Sequence, residues 1–420
     1  MLLEFKCSNH RSIKDKITFS MIAGNDKTHE ESLIEFGDVK VLRSAAIYGA
    51  NGSGKSNFLS ALSFMQNLVI NSIKLQPGQT VFQDLHKLSG DEDSSSYSIQ
   101  FVKKNVRFAY GFSLKHHLVQ DEYLYSFPSG QQTKIFEREG MDIMSGDEYE
   151  KSFAVSLNVL KKNRLFLSCA ANYSQVKVVE DAFTFFSNDV VFYNPESNNW
   201  TEYSINAIQN NADIKAKFID MLQSLGTNVK DIKLKIEKVK FNEIPQTIYL
   251  PDSLKKMIES SKGNKIEARI VYDNFEVDLL QESEGVKKLF QIICPMIDIL
   301  ENGKILICDE LDSSLHEAIV FQIIRLFQNY KKGSLAQMVF STHNTNFMNL
   351  ESFRKDQIWF TELNKERATD LYSLAEFRGI KKSDNLRTGY ISGRYGAIPV
   401  LNESFTAKIK SEYTAKEANR

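Results

Sequence analysis

The stretch Gly49-Ala50-Asn51-Gly52-Ser53-Gly54-Lys55-Ser56 decides the fold and the chemistry expected of this chain. It fits the pattern G-x-x-x-x-G-K-[ST], in which glycines let backbone N–H groups turn towards phosphate oxygens. In this pattern Lys55 reaches the β- and γ-phosphates and the Ser56 hydroxyl ligates Mg²⁺. The apolar run Val41–Tyr48 predicts a buried strand before the loop, and apolar spacing over Ser56–Val69 predicts a helix after it. We therefore expect a nucleoside triphosphate site, contacted by Gly49, Asn51, Gly52, Ser53, Gly54, Lys55, Ser56 and Asn57.

A second motif is the apolar stretch Lys304–Cys308, which runs directly into Asp309 and Glu310. The carboxyl ends of parallel strands are where such sheets bind their ligands. Asp309 suits the Mg²⁺ shell of a phosphate-loop enzyme, and Glu310 is placed to polarise an attacking water. An acidic pair at a strand end is common, so the prediction depends on its combination with the phosphate loop.

The composition is that of a folded protein. The 420 residues are 42% hydrophobic and 25% charged, which excludes wholesale disorder. At about 150 residues per domain, two or three units are expected. The 52 basic and 53 acidic residues give a net charge of −1, so there is no overall attraction to DNA or to anionic lipid. DNA binding therefore stays an open alternative that the net charge does not support.

The sequence also indicates a compartment. The opening MLLEFKCSNHRSIKDK has early charges and no apolar core of a signal peptide. The apolar run Ile292–Leu300 is interrupted by Pro295 and Asp298 and is too short to span a bilayer. The four cysteines form no metal-binding or disulfide pattern; they are Cys7, Cys169, Cys294 and Cys308. We expect a cytoplasmic protein that does not engage a membrane.

Periodicity predicts the remaining elements. Mainly helical sequence is expected from about Glu148 to Gly226, and a polar tail from Thr406 onward. A strand, helix and strand are expected over Lys304–Cys308, Glu317–Phe327 and Met338–Ser341, the alternation of a parallel sheet. Short strands are expected over Leu2–Phe5, Ile17–Met21, Tyr97–Val102, Val106–Leu114, Glu122–Phe127, Lys134–Glu139 and Ile232–Val239.

Three shorter motifs follow one another along the second half of the chain. Ser283-Glu284-Gly285 opens an apolar helix before the acidic strand, Asp312 follows the acidic pair, and His343 follows the next strand. This layout resembles the ABC-type ATPases, specifically their SMC/RecF/OLD-like branch. The resemblance implies that Ser283 and Gly285 form the signature, Asp312 the D-loop and His343 the switch histidine. Asn9-His10-Arg11-Ser12 is similar to the Asn-Phe-Arg-Ser turn of that branch, which implies that Arg11 lies near the phosphates.

The chain also departs from relatives of that branch. The signature reads Glu-Ser-Glu-Gly rather than Leu-Ser-Gly-Gly, which argues against a transporter subunit. No long heptad region separates the two halves, and Gln83 is only a candidate for the Q-loop. The ending, notably Gly389–Pro399, looks like that of stand-alone ATPases of prokaryotic abortive-infection operons, and the layout resembles the PARIS-type sensor ATPase. The simpler interpretation of Gly389–Pro399 is an ordered loop whose glycines take positive φ.

The resemblance implies an α/β fold: a two-lobed ABC ATPase head with a mixed, partly parallel sheet, an N-terminal antiparallel part and a helical insertion. The expected boundaries are 1–149 for the N-terminal half of the head, 150–265 for the insertion and 266–420 for the C-terminal half.

The implied mechanism joins two copies of the chain. ATP with Mg²⁺ would be held by Lys55, Ser56 and Asp309 and capped by Ser283 and Gly285 of a second subunit. Glu310 would activate water and His343 would sense the γ-phosphate. The expected partners are ATP, a second copy and an effector protein from a neighbouring gene in anti-phage defence.

Two alternatives stay open: a DNA-binding repair ATPase similar to RecF, and an OLD-like nuclease. Little chain follows His343, which leaves scant room for a nuclease domain. The lysines of the stretch 230–240 either track a nucleic-acid backbone or guard the edge of a sheet.

Overall fold

The computed structural model describes residues 1–90, 92–193, 199–238, 264–313 and 315–399. The chain divides into two compact units. The first comprises 1–190, 307–311 and the described part of 337–420; the second comprises 191–306 and 312–336.

The strands are β1 (Leu2–Ser8), β2 (Ile17–Ser20), β3 (Ile34–Phe36), β4 (Val39–Val41), β5 (Ser44–Gly49), β6 (Ser95–Lys103), β7 (Val106–Lys115), β8 (Leu118–Phe127), β9 (Thr133–Glu139), β10 (Asp142–Ser145), β11 (Val190–Tyr193), β12 (Asp231–Lys238), β13 (Asn264–Val271), β14 (Glu276–Asp278), β15 (Ile305–Cys308), β16 (Gln337–Ser341), β17 (Ile358–Leu363) and β18 (Thr369–Ser373). The α-helices are α1 (Lys55–Asn71), α2 (Ala154–Val159), α3 (Phe166–Tyr173), α4 (Lys177–Thr184), α5 (Asn199–Asn210), α6 (Ala212–Ser224), α7 (Glu284–Asn302), α8 (Glu317–Asn329) and α9 (Leu386–Ile391).

An antiparallel sheet forms the β-rich part of the first unit, with strand order β10-β9-β8-β7-β6-β1-β2. The turn between β6 and β7 is tight, because Lys103 pairs directly with Val106. Its two residues, Lys104 and Asn105, take φ of 48° and 63°. Two-residue turns with positive φ match the right-handed twist of antiparallel strands, so this turn fixes the hairpin register.

The strand that leads into the phosphate loop lies inside a second, mostly parallel sheet. Its strands run in the order β11-β15-β16-β5-β17-β18. β5 pairs in parallel with β16 on one side and with β17 on the other. Every residue of β5, β15 and β16 is buried, as expected for strands covered on both faces. Their carboxyl ends therefore meet at one edge of the sheet.

Helix α1 packs its apolar face against aromatic side chains of the first unit. The Phe58 ring lies 5.9 Å from the Phe5 ring and 5.2 Å from the Phe19 ring, measured between centroids. Phe5 and Phe19 come from β1 and β2. Burying a phenylalanine contributes about 1.5–3 kcal/mol, so this contact fixes the helix that follows the phosphate loop.

The second unit contains α5 to α8 and the sheet β12-β13-β14. Helix α7 begins after Ser283, whose hydroxyl accepts a hydrogen bond from the Val286 N–H. It ends at Gly303, which takes the left-handed φ of 65° favoured by glycine after a helix.

The α/β class, the mixed sheet and the N-terminal antiparallel part are confirmed. The predicted hairpin, the helix after the phosphate loop and the strand–helix–strand near the acidic pair are present, with ends shifted by a few residues. The predicted tail from Thr406 lies outside the described residues. The three-part boundaries at 149/150 and 265/266 stay a prediction. Within the described chain, no helix combines the length and apolar character needed to cross a bilayer.

Candidate functional site

The phosphate loop connects the end of β5 to the start of α1. The first turn of α1 has no side-chain cap, because Gly54 occupies the N-cap position. Backbone N–H groups in the first turn of a helix lack partners within the helix and carry partial positive charge. The loop therefore presents an anion-binding backbone, as the sequence pattern predicts.

Two glycines of the loop are required for different reasons. Gly54 has φ of 108°, and a Cβ there would lie 2.6 Å from Thr369 Cγ2 and 2.8 Å from Thr369 Cβ. Gly52 has φ of 76° but open space around it. Position 54 therefore requires glycine both for its backbone conformation and for its packing against Thr369. Position 52 requires glycine only for its backbone conformation, because the space around it is open.

Lys55 is buried against its own loop. Its Nζ donates to the carbonyl oxygens of Gly49 at 2.9 Å and Ala50 at 3.1 Å, and the residue is 6% exposed. The ammonium group is thus held in the concave side of the loop. Its contact to phosphate stays a prediction.

Hydroxyl groups from distant parts of the chain hold the loop in place. Ser53 Oγ lies 2.6 Å from Thr361 Oγ1 on β17. Thr369 Oγ1 on β18 donates to the Ser53 carbonyl oxygen at 3.1 Å and lies 2.7 Å from Ser12 Oγ. Ser12 Oγ in turn accepts from Asn57 Nδ2 at 2.7 Å. The sequence did not predict this network, because its members are neighbours only in space.

The acidic pair lies at the same sheet edge as the phosphate loop. Asp309 and Glu310 follow β15, and β16 next to it ends at Ser341, which is in register with Ile47 of β5. Ser341 Oγ accepts from the Glu310 N–H at 2.8 Å and donates to Asp309 Oδ1. Glu310 takes a left-handed φ of 50°, which is uncommon for residues other than glycine.

His343 faces this acidic pair. Its Nε2 lies 4.0 Å from Glu310 Oε1, and the side chains are 40% and 58% exposed. Both side chains reach solvent at the sheet edge where β5 also ends. The structure therefore places Asp309, Glu310 and His343 at one edge with Lys55.

A cavity of about 610 Å³ opens beside the phosphate loop. Gly52 and Asn57 line it on the loop side, and Arg367 lines it from the turn between β17 and β18. Arg11 also lines the cavity, but its Nε lies 3.2 Å from Asp84 Oδ2. Arg11 thus lines the same cavity as Gly52 of the loop, with its charge already paired with a carboxylate, and its place near the phosphates stays a prediction.

His10, which precedes Arg11 in the chain, is buried. Its Nδ1 lies 2.9 Å from the Tyr97 hydroxyl and its Nε2 lies 3.0 Å from Ser60 Oγ. Burial, reinforced by the positive charge of Arg11, lowers the pKa of His10 to about 4, although Asp84 acts in the opposite direction. His10 is therefore neutral at neutral pH and serves as a structural hydrogen-bonding group.

The oxygen ligands expected for Mg²⁺ fit that ion. Ser56 is exposed in the first turn of α1, and the Asp309 carboxylate is oriented by Ser341. Mg²⁺ prefers hard oxygen ligands and is often bound by one or two protein groups together with phosphates. Within the described part of the chain, no group of three or more His, Cys, Asp or Glu side chains could hold a metal ion by itself.

The remaining predicted residues belong to the second unit. Ser283 is exposed and caps α7, while Gly285 lies within its first turn. Asp312 Oδ1 is buried and accepts no hydrogen bond from the described residues. Lys288 donates to the Ser313 carbonyl and, at 2.8 Å, to Ser313 Oγ, which ties α7 to the residue after Asp312.

Gln83 and the segment Gly389–Pro399, which the sequence also singles out, form hydrogen bonds within the described chain. Gln83 is buried, donates to Ser95 Oγ at 2.7 Å and accepts from the His117 N–H at 2.9 Å. The segment Gly389–Pro399 is ordered by the Tyr390 hydroxyl, which donates to the Ala397 carbonyl oxygen at 2.9 Å. Gly393 and Gly396 there take positive φ, as the simpler interpretation of this segment expects.

Two lysines of the stretch 230–240 form ion pairs. Lys230 lies 3.4 Å from Asp273, Lys233 pairs with Glu276, and β12 forms an edge of its sheet. The side chain of Lys238 is not described, and Lys240 lies outside the described residues. This arrangement favours the edge-guarding interpretation of the lysines over a backbone-tracking surface.

Comparison with known proteins gives one family match. The family model described as "AAA domain, putative AbiEii toxin, Type IV TA system" matches residues 44–349. No curated protein matches the chain.

Three solved structures of SMC heads are similar to this chain. Each shares 13% sequence identity with it over an alignment that covers 89% of this chain. An SMC head bound to the C-terminal winged-helix domain of ScpA has a TM-score of 0.43 with 97% of that chain covered. The SMC head domain from Thermotoga maritima has a TM-score of 0.41 with 98% covered. An SMC head domain with an extended coiled coil, bound to the C-terminal domain of ScpA derived from Pyrococcus furiosus, has a TM-score of 0.42 with 96% covered.

Proposed function

Since the chain belongs to the AAA domain family described as putative AbiEii toxins of type IV TA systems, we propose that it binds ATP with Mg²⁺ and hydrolyses it to ADP and phosphate. The observation that carries the proposal is the shared sheet edge. Lys55 on the phosphate loop, the pair Asp309 and Glu310, and His343 all follow the carboxyl ends of neighbouring strands.

The phosphate loop would bind the triphosphate through its backbone N–H groups. Lys55 would exchange its present carbonyl partners on Gly49 and Ala50 for phosphate oxygens. Ser56 and Asp309 would hold Mg²⁺, which neutralises the charge that develops on the phosphates. The 610 Å³ cavity next to Gly52 would take the nucleoside.

Glu310 and His343 would act on the γ-phosphate side. Glu310 would orient the attacking water and accept its proton, and His343, 4.0 Å away, would contact the γ-phosphate. Phosphoryl transfer needs positioning and charge stabilisation more than covalent chemistry, so fixed polar groups of this kind suffice.

We further propose that ATP joins two copies of the chain. Ser283, Gly285 and Asp312 would contact the nucleotide held by the other copy. The supporting observation is that Ser283 and Glu284 are exposed at the start of α7 and available to a second molecule. ATP binding would then favour association and hydrolysis would release it, which couples binding to a change of state.

The role that we propose is control of an effector protein in anti-phage defence. It rests on the resemblance of Gly389–Pro399 to the ending of stand-alone ATPases of abortive-infection operons. The family description names a putative AbiEii toxin of a type IV TA system. The ion pairs of Lys230 and Lys233 give no support to a RecF-like role. Co-purification of the chain with the products of its neighbouring genes, with and without ATP, tests the effector proposal. Binding of bare DNA that stimulates hydrolysis and weakens steeply with salt would favour repair instead.

Hydrolysis is tested with three variants. We expect Lys55→Ala to lose nucleotide binding, and Glu310→Gln to keep binding but lose turnover. Glu351→Gln, an exposed glutamate on a different turn, is the matched control and should retain the wild-type rate. Light scattering of Glu310→Gln with ATP and Mg²⁺ should show a dimer or larger assembly. Full hydrolysis by Glu310→Gln would remove the role proposed for Glu310, and a monomer in every nucleotide state would refute the two-copy site.

A further inference from the structure

We propose that Ser341 is a positioning residue that holds both Asp309 and Glu310 in working geometry; this inference rests on the proposed ATPase function. Ser341 is the last residue of β16 and is 0% exposed. Its Oγ accepts from the Glu310 N–H at 2.8 Å and donates to Asp309 Oδ1. Its carbonyl oxygen accepts from the Leu311 N–H at 3.3 Å.

The chemistry of a hydroxyl makes this arrangement directional. A serine hydroxyl has one proton to donate and lone pairs with which to accept. An ionised carboxylate only accepts, so the proton of Ser341 lies towards Asp309, and its lone pair is available to the Glu310 N–H. One side chain thus orients the expected Mg²⁺ ligand and anchors the backbone of the residue that would activate water.

The backbone conformation of Glu310 explains why its N–H needs a hydrogen-bond partner on Ser341. Its φ of 50° lies in the left-handed region, which a glutamate seldom adopts. Such a conformation persists only where the surroundings impose it, and it commonly occurs at functional sites. Ser341 supplies two of the bonds that hold the turn, through its Oγ to Glu310 and its carbonyl to Leu311.

The same strand end leads to His343, two residues beyond Ser341. His343 Nε2 lies 4.0 Å from Glu310 Oε1. The positions of Asp309, Glu310 and His343 therefore all depend on the end of β16. Removal of the Ser341 hydroxyl should loosen Asp309 and Glu310 without touching the phosphate loop.

Ser341→Ala tests the inference. We expect kcat to fall about 10- to 100-fold, as for outer groups that orient metal ligands. Affinity for ATP without Mg²⁺ should stay within about twofold, because the phosphate loop is unchanged. In nucleotide-free protein, hydrogen exchange of the Glu310 amide should become at least about tenfold faster, since that N–H loses its partner. Ser341→Thr keeps a hydroxyl and should restore most of kcat and of the amide protection.

Ser44→Ala is the matched control. Ser44 is also a buried serine of this sheet; it accepts from Gln357 Nε2 at 3.0 Å and lies at the opposite end of β5 from the phosphate loop. We expect its kcat and Glu310 exchange to match the wild type. A wild-type kcat with unchanged Glu310 exchange in Ser341→Ala overturns the inference, as does an equal loss in Ser341→Thr or Ser44→Ala. If the wild-type protein fails to hydrolyse ATP, the proposed function falls, and the exchange measurement still decides whether Ser341 holds Glu310.

Discussion

Thr369 Oγ1 donates a hydrogen bond to the carbonyl oxygen of Ser53 at 3.1 Å, although 316 positions separate the two residues. The phosphate loop is therefore shaped partly by the hairpin β17–β18. Side-chain packing reinforces the bond, because Thr369 also fills the space next to Gly54. A local motif in the sequence thus depends on a distant strand for its conformation.

Substitution of the two loop glycines should separate packing from backbone strain. Gly54→Ala places a Cβ against Thr369 and keeps a φ of 108°, so we expect a loss of about 2–5 kcal/mol in the free energy of unfolding. Gly52→Ala meets only the strain of its φ of 76°, which costs about 1 kcal/mol. Urea unfolding of both variants measures the difference. Equal losses would show that Thr369 does not restrict the loop.

Acid should destabilise the protein through His10. Its pKa is about 4 in the folded chain, against an ordinary value of 6.5, so the unfolded chain binds the proton more readily. The stabilising contribution is complete above pH 6.5 and is lost as the pH falls towards 4. Between pH 7.5 and pH 5 this amounts to about 2 kcal/mol.

Unfolding by urea at both pH values in wild type and in His10→Gln measures this contribution. The variant should lose about 2 kcal/mol less than the wild type on acidification, because glutamine does not titrate. His116→Gln, an exposed histidine in the turn between β7 and β8, serves as control and should behave as the wild type. An identical pH dependence in wild type and His10→Gln would contradict the assignment.

Relief of the strained backbone at Glu310 should raise stability while it removes activity. Glu310 has φ of 50°, and asparagine tolerates this region better than glutamate does. We expect Glu310→Asn to gain about 0.5–1 kcal/mol in unfolding free energy and to lose hydrolysis. Glu310→Gln should lose hydrolysis with unchanged stability, since glutamine shares the preferences of glutamate. A less stable Glu310→Asn would argue that the turn is not strained.

Arg367 should contribute to nucleotide affinity. It is exposed and lines the cavity beside Gly52, where a cation favours an anionic ligand. We expect Arg367→Ala to weaken binding of a fluorescent ATP analogue about 1.5- to 5-fold, the range of an exposed charge contact. Lys365→Ala alters an exposed cation of the same turn that does not line the cavity, and its affinity should not change.

The parts of the site that could be predicted from the sequence are those that directly follow a predicted strand. The phosphate loop, the acidic pair and His343 each lie directly after an apolar strand, so their positions could be read from strand ends alone. Parallel pairing of such strands then brings their ends together. The helix α1 was predicted from Ser56 and begins at Lys55.

The supporting contacts could not be predicted in this way. Ser12, Thr361 and Thr369 meet the phosphate loop only because β17 and β18 fold against β5, and no spacing in the sequence reports that. The Arg11–Asp84 ion pair likewise joins two segments outside regular structure. Ser341 ends the predicted strand Met338–Ser341, but its role depends on the left-handed turn at Glu310, which carries no glycine to signal it.

The position of β5 between β16 and β17 has a consequence for the order of events on the ribosome. When the first 300 residues have been synthesised, neither neighbour of β5 in its sheet exists yet. An apolar strand with both edges open is prone to mispairing, so a nascent chain of this kind benefits from chaperone protection. Competence to hold a nucleotide should therefore arise late in translation, only after the residues that flank β5 have emerged.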